Sequence, residues 1–148
     1  MCKCYVLYGR ANVGKTTSLG LVIEKLVANG AKEIKGVDIS LFNSSDDRRI
    51  LLEYKGKLIG ITTRGDTRKA LEKDFDAFKR ELDLFVCACR TKGETCDFIK
   101  EYFSDIVWMK KIHTNNNYSF SIQKYIDKMN EIQAMMIIEE IESWITKM

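Results

Sequence analysis

A chain of 148 residues is the length of one domain, so we expect residues 1–148 to fold as a single unit with its own core. Hydrophobic residues make up 45% and charged residues 30%, a globular balance that excludes a disordered or fibrous chain. The formal net charge of +3 is spread along the sequence, so it does not indicate a nucleic-acid partner, and a small anionic ligand would be enough to match it.

The N-terminal apolar run is too short for a signal peptide, and no other stretch approaches the roughly 18 apolar residues of a membrane span. We therefore expect a cytoplasmic protein without a membrane partner. The chain has five cysteines, and an odd number without a secretion signal favours reduced thiols.

Two Cys-x-Cys pairs, Cys2 with Cys4 and Cys87 with Cys89, raise the alternative of a metal site. If both pairs lie on parallel strands, the first pair is near the start of its strand and the second near the end of its own. At about 3.3 Å per residue, well over 10 Å would then separate them, too far for one zinc ion. His113 is the one histidine that could complete such a site. The sequence therefore disfavours zinc.

In the first half of the chain, an apolar run over residues 4–8 predicts a buried strand, and helical spacing over residues 14–28 predicts a helix. Residues 34–41 indicate a second strand. The runs 50–54 and 58–61 flank a turn and predict a hairpin.

In the second half, residues 67–80 predict an amphipathic helix, 84–88 a strand, 95–103 a short helix and 106–112 a last strand, before a long helix over 119–145. Because strands and helices alternate, we expect an α/β three-layer sandwich with a mostly parallel sheet and one antiparallel hairpin.

The long C-terminal helix carries an apolar stripe, and we expect this stripe to pack on the sheet. A partner-binding surface is the alternative. A membrane-surface role is disfavoured because the polar face is acidic. The stripe consists of Ile122, Tyr125, Ile126, Met129, Ile132, Met136, Ile141 and Trp144.

One motif between the first strand and the first helix matches G-x-x-x-x-G-K-[ST] at every fixed position. Its glycines allow main-chain N–H groups to turn onto phosphate oxygens, and the helix N-terminus adds partial positive charge. We expect Lys15 to reach the β- and γ-phosphates of a nucleoside triphosphate and the hydroxyl of Thr16 to coordinate Mg²⁺. The predicted phosphate-binding set is Gly9, Arg10, Ala11, Asn12, Val13, Gly14, Lys15, Thr16 and Thr17.

On these residues the chain resembles the P-loop NTPase superfamily, and the resemblance covers its whole α/β part. A second strand that carries Asp38 makes it similar to the class of MinD/ParA-like ATPases and metallochaperone GTPases. In that class an aspartate there helps to organise Mg²⁺ and the attacking water, so the resemblance implies this role for Asp38. Arg10 stands where those ATPases often carry a loop lysine that acts across a dimer. It is an arginine and is followed by Ala11 rather than by a glycine, which weakens the inference of a self-dimer.

The sequence departs from the family pattern after the candidate Walker B strand, residues 58–61, which no acid follows directly. Asp66 is the nearest acid, and it is either a metal ligand or the N-cap of the next helix. The Asn-Lys-x-Asp pattern of guanine-specific GTPases is missing after the strand at residues 84–88, so we expect ATP, with GTP as the alternative.

Two loops share the order Thr, base, Gly, acid, Thr, at residues 63–67 and 91–95. In a parallel α/β sheet both loops lie on the same edge as the phosphate loop. One hypothesis is that Arg64, Arg90 or Lys92 neutralises charge on the transferred phosphoryl group, with Arg90 as a catalytic residue, or binds a second anionic substrate. The alternative is two turns with solvated basic residues.

Three functions fit the sequence. The first is a slow NTPase that acts as a switch on a protein partner, which the compact chain and Asp38 favour. The second is a kinase that moves the γ-phosphate to a small acceptor. The third is a regulatory protein that binds nucleotide without hydrolysing it.

Overall fold

The computed structural model describes residues 2–10, 13–34, 48–65, 67–78, 81–112 and 123–147. The elements, in chain order, are β1 (Lys3–Tyr8), α1 (Lys15–Ala28), β2 (Lys32–Glu33), β3 (Arg49–Tyr54), β4 (Lys57–Thr62), α2 (Arg68–Ala77), β5 (Leu84–Cys89), α3 (Glu94–Tyr102), β6 (Asp105–Lys110) and α4 (Gln123–Thr146). The predicted α/β class and the long C-terminal helix are confirmed.

The strands of the described chain form one mixed sheet in the order β2-β3-β4-β5-β1-β6. Strands β4, β5, β1 and β6 run parallel, whereas β3 is antiparallel to both β2 and β4. The predicted hairpin is therefore confirmed. Its turn places Lys55 at φ 51° and Gly56 at φ 80°, the two positive φ angles that suit a tight hairpin turn.

The buried residues form two cores, because successive residues of a strand point to opposite faces of the sheet. On β1, Tyr5 and Leu7 belong to the first core, to which α1 and α4 contribute. Cys4 and Val6 belong to the second, to which α2 and α3 contribute. Every residue of β5 is buried, so the apolar run that predicted this strand lies in the middle of the sheet.

The expectation that the whole stripe of the C-terminal helix packs inward is wrong. The buried side of α4 holds Ile126, Asn130, Gln133, Ala134, Ile137, Ile138 and Ile141. Tyr125, Met129, Ile132 and Met136 are exposed. The stripe is wider than the area that α1 and the sheet cover, so its two sides have different environments. Ile122 lies outside the described residues.

The two cysteine pairs are closer than the sequence predicted. The Sγ atoms of Cys4 and Cys87 are 3.9 Å apart, because β1 and β5 are neighbours and Val6 pairs with Cys87. The expected separation of more than 10 Å is therefore wrong. All five cysteines are free, and burial raises the pKa of Cys89 to about 12, so its thiol stays protonated at neutral pH.

Among the described helices, none is both long and apolar enough to cross a bilayer.

Candidate functional site

The predicted phosphate loop begins where β1 ends and finishes where α1 begins. The N–H of Gly9 donates a hydrogen bond to the carbonyl oxygen of Cys89, 3.1 Å away, which fixes the loop to the end of β5. Gly14 has φ 94° and ψ 18°, a left-handed conformation, and forms the N-cap of α1. A side chain at this position would be strained, so the second fixed glycine of the motif has a local structural reason. Ala11 and Asn12 lie outside the described residues.

Lys15 folds back across the base of the loop. Its ammonium donates hydrogen bonds to the carbonyl oxygens of Gly9, at 2.5 Å, and Cys89, at 3.1 Å. The residue is only 7% exposed. The positive charge is therefore held between the ends of β1 and β5, at the first turn of α1.

Thr16 connects the loop to the candidate Walker B strand. Its hydroxyl donates a hydrogen bond to the carbonyl oxygen of Thr63, 3.3 Å away, in the segment that follows β4. Thr63 is itself held by Arg48, because its hydroxyl accepts from the Arg48 N–H at 2.8 Å. Thr17, by contrast, is exposed. The segment after β4 thus reaches the first turn of α1 even though β5 separates β4 from β1 in the sheet.

A glycine makes this close approach possible. A Cβ atom added to Gly65 would lie 2.1 Å from the carbonyl oxygen of Ala88 on β5, far inside contact distance. The segment after β4 therefore crosses directly over the end of β5. Sequence reasoning missed this role of Gly65.

A buried carboxylate holds the same segment from the other side. Asp74, on α2, is fully buried and accepts hydrogen bonds from Arg49 at 2.9 Å and from the hydroxyl of Thr62 at 2.7 Å. Arg64 adds two more bonds to this carboxylate, from Nε at 2.9 Å and from Nη2 at 2.7 Å. The hypothesis that Arg64 faces a ligand is therefore not supported, since its guanidinium is bound to Asp74.

The loop at residues 91–95 is arranged differently from the loop at residues 63–67. Arg90 and Lys92 are exposed, and the Arg90 N–H donates to the hydroxyl of buried Thr95 at 3.0 Å. Gly93, at φ 97°, is the N-cap of α3. The two similar sequence patterns therefore give two different local structures, and Arg90 lies on the edge of the sheet that carries the phosphate loop, as expected.

The two predicted carboxylate ligands, Asp38 and Asp66, lie outside the described residues. The alternative of Asp66 as the N-cap of α2 is wrong, because Thr67 holds that position and its hydroxyl accepts from the N–H of Ala70 at 3.1 Å. Within the described ranges, no group of three or more His, Cys, Asp or Glu side chains could hold a metal ion.

Lys111 is a candidate residue that sequence reasoning missed. It follows β6, is 4% exposed, and its N–H donates to the carbonyl oxygen of Tyr8 at 2.8 Å. Its ammonium donates to the carbonyl oxygen of Ile112, and burial lowers the pKa of Lys111 to about 8. The signal was present, because Lys110 ends an apolar strand and Lys111 follows it, on the edge that carries the phosphate loop.

A cavity of about 450 Å³ opens beside the phosphate loop. Three cations contribute to its wall, so it suits an anionic or strongly polar ligand. The lining residues are Tyr8, Gly9, Arg10, Val13, Thr91, Lys110 and Lys111.

No family model, curated protein or solved structure matches this chain.

Proposed function

We propose that this protein binds a nucleoside triphosphate, ATP rather than GTP, together with Mg²⁺, and hydrolyses it slowly as a cytoplasmic switch. The fold proposed for it is the three-layer P-loop NTPase sandwich. The observation that carries the proposal is the position of Lys15, whose ammonium lies between the carbonyl oxygens of Gly9 and Cys89 at the N-terminus of α1.

Phosphate binding follows from that position. The first N–H groups of a helix have no partners within the helix, and their partial positive charge attracts anions. Gly14 directs the chain into this first turn, and Lys15 is already held beside it. Phosphate oxygens would replace the two carbonyl oxygens as partners of the ammonium, and a charged acceptor forms the stronger hydrogen bond.

The residues present also fit a phosphate-bound magnesium ion. Mg²⁺ in such sites keeps several waters and takes one or two protein ligands in addition to the phosphates, so it does not need a cluster of carboxylates. The Thr16 hydroxyl would be one ligand, and its hydrogen bond to Thr63 fixes where that oxygen lies. Asp38 and Asp66 remain the proposed carboxylates. Mg²⁺ would supply electrostatic stabilisation of the transferred phosphoryl group.

Slow turnover is proposed because of the environment of the described basic and acidic groups. Asp74 is a buried carboxylate near the end of β4, and it is bound to Arg49 and Arg64 rather than directed at the phosphate loop. Because Arg64 is bound to Asp74, its guanidinium does not contact the phosphoryl group in this arrangement. Arg90, which is exposed, is the described arginine proposed to assist catalysis. A partner that repositions one of these groups would accelerate hydrolysis, as expected for a switch.

The kinase function is kept as a second candidate because of the cavity beside the phosphate loop. Arg10, Lys110 and Lys111 make that cavity cationic, and its volume of about 450 Å³ could hold a small anionic acceptor. In the switch, the same cavity would hold part of the nucleotide.

One experiment separates these functions. Calorimetric titration with ATP and GTP, in Mg²⁺ and in EDTA, is followed by incubation with labelled ATP, with and without small phosphate-accepting compounds. Slow release of phosphate alone supports the switch, ADP formation that depends on an acceptor supports the kinase, and binding without turnover supports a regulatory protein. Failure to bind any triphosphate would contradict the proposal as a whole.

The proposed metal ligand has its own matched pair of variants. Thr16→Val removes the hydroxyl but keeps the shape, whereas Thr16→Ser keeps the hydroxyl. We expect Thr16→Val to abolish the gain in ATP affinity that Mg²⁺ provides and Thr16→Ser to preserve it. An unchanged Mg²⁺ dependence in Thr16→Val would remove Thr16 from the metal site.

A further inference from the structure

Helix α4 presents an exposed apolar seam along its N-terminal half. Tyr125 is 56% exposed, Met129 38%, Ile132 46% and Met136 47%. These residues follow one another at intervals of four, three and four, which is the spacing of a coiled-coil seam. Large exposed apolar patches are uncommon on monomeric proteins and mark interaction surfaces.

The seam is separate from the side of α4 that packs against the rest of the chain. On that side, Asn130 accepts a hydrogen bond from the hydroxyl of Ser18 on α1 at 3.2 Å, and Ala134 and Ile137 belong to the first core. Intramolecular packing therefore explains one side of α4 and leaves the seam unexplained.

A groove of about 300 Å³ runs beside the seam, lined by Lys25 of α1 and by six residues of α4. On α4, Lys128 lies at its N-terminal end and Glu139 at its C-terminal end, with Glu131, Ile132, Met135 and Met136 between them. Lys128 and Glu139 are eleven positions apart, or about 16 Å along a helix at 1.5 Å per residue.

We propose that this seam is a self-association surface on which α4 of a second copy of the chain packs antiparallel. In that arrangement, each Lys128 faces Glu139 of the other copy, and the apolar segment between them packs on itself. A two-fold axis through the segment between Ile132 and Met135 generates both charge pairs at once, which is how an isologous interface works. A parallel, in-register arrangement would instead leave Lys128 of one copy about 16 Å along the axis from Glu139 of the other and would form neither pair. This inference does not depend on the proposed function.

The charges also argue against a membrane as the occupant. Glu131, Glu139 and Glu140 are exposed on α4, and an acidic surface is repelled by anionic lipid headgroups.

The test measures the molar mass of the full chain by size-exclusion chromatography with light scattering, across a concentration series. We expect a dimer for the natural sequence. Ile132→Lys places a cation near the two-fold axis, opposite its own copy, and should give a monomer. Tyr102→Lys changes an exposed aromatic residue on α3 and should remain a dimer. Circular dichroism and the melting temperature verify that each variant is folded.

A charge exchange tests the antiparallel orientation. Lys128→Glu alone and Glu139→Lys alone should each raise the dimer dissociation constant by about tenfold or more, since each places two like-charged pairs in the interface. The double variant restores opposite charges and should restore the dimer. A natural sequence that is monomeric throughout the series, or a dimer that Ile132→Lys leaves intact, would overturn the proposal. Failure of the double variant to recover would overturn the antiparallel arrangement.

Discussion

The ammonium of Lys15 donates a hydrogen bond to the carbonyl oxygen of Cys89, 3.1 Å away, and so joins the first turn of α1 to the end of β5. The two residues are 74 positions apart in the sequence. This contact connects the phosphate-loop motif to the end of β5, and only the order of the strands in the sheet shows that β5 lies next to β1.

Lys15→Ala should weaken triphosphate binding by roughly tenfold to a hundredfold or more, because a hydrogen bond to a charged group contributes about 1.5–3 kcal/mol. The fold should survive, since the hydrophobic cores do not include this side chain. Calorimetric titration measures the affinity, and urea unfolding measures the stability.

Lys25→Ala is the matched control, because Lys25 lies in the last turn of the same helix. It should leave the affinity unchanged. Equal affinity in Lys15→Ala and the natural sequence would show that the role assigned to Lys15 is wrong.

Gly14→Ala should weaken both stability and nucleotide binding. Gly14 has φ 94°, where a side chain costs about 1–2 kcal/mol, and it sets the direction of the first turn of α1. Gly30→Ala is the control, because Gly30 has φ 106° at the other end of the helix. Both variants should lose similar free energy of unfolding.

Triphosphate affinity distinguishes the two glycine variants. We expect it to fall in Gly14→Ala and to stay constant in Gly30→Ala. If both variants bound ATP as the natural sequence does, the conformation at Gly14 would have no part in binding.

Asp74→Asn should destabilise the protein by about 3–5 kcal/mol, the usual cost of removing one partner of a buried ion pair. Arg49, which is 2% exposed, would lose its carboxylate, and Arg64 would keep an acceptor for only one of its two bonds to this side chain. Asp76→Asn, at an exposed position of the same helix, should change the free energy of unfolding by no more than about 0.5 kcal/mol. Urea unfolding measures both, and equal effects in the two variants would contradict the structural role of Asp74.

Lys111 should make the free energy of unfolding depend on pH. Burial lowers its pKa from 10.5 to about 8, so between these values the unfolded chain binds more protons than the folded chain. Stability contributed by Lys111 therefore rises with pH over this range and is lowest below about pH 8.

The measurement is the difference in free energy of unfolding between the natural sequence and Lys111→Met, from pH 7 to pH 10.5. Other titrating groups, such as Cys89, contribute to both proteins and cancel in the difference. The free energy of unfolding of the natural sequence should increase relative to that of the variant as the pH rises. Lys110→Met, at the exposed neighbouring position, is the matched control. A Lys111→Met difference that rises no more steeply than that of the control would contradict the lowered pKa.

The sequence by itself determined the features that depend on neighbouring residues. An apolar run before Gly9 and helical spacing after Gly14 predicted β1 and α1, because strand burial, glycine conformation and helix periodicity are local properties. The hairpin and the helices α2, α3 and α4 followed from the same kind of pattern, with boundaries that differ by a few residues.

Only the tertiary structure decided which distant residues meet. The position of β5 between β1 and β4 brings Cys89 to Lys15, and the parallel register brings Cys4 to Cys87. Arg64 pairs with Asp74 because α2 folds back over β4. The same is true of the exposed side of α4, since a periodic stripe indicates that a helix is amphipathic but not how much of its apolar side a neighbour covers. Strand order and helix packing depend on contacts between residues far apart in the chain, and no local pattern records them.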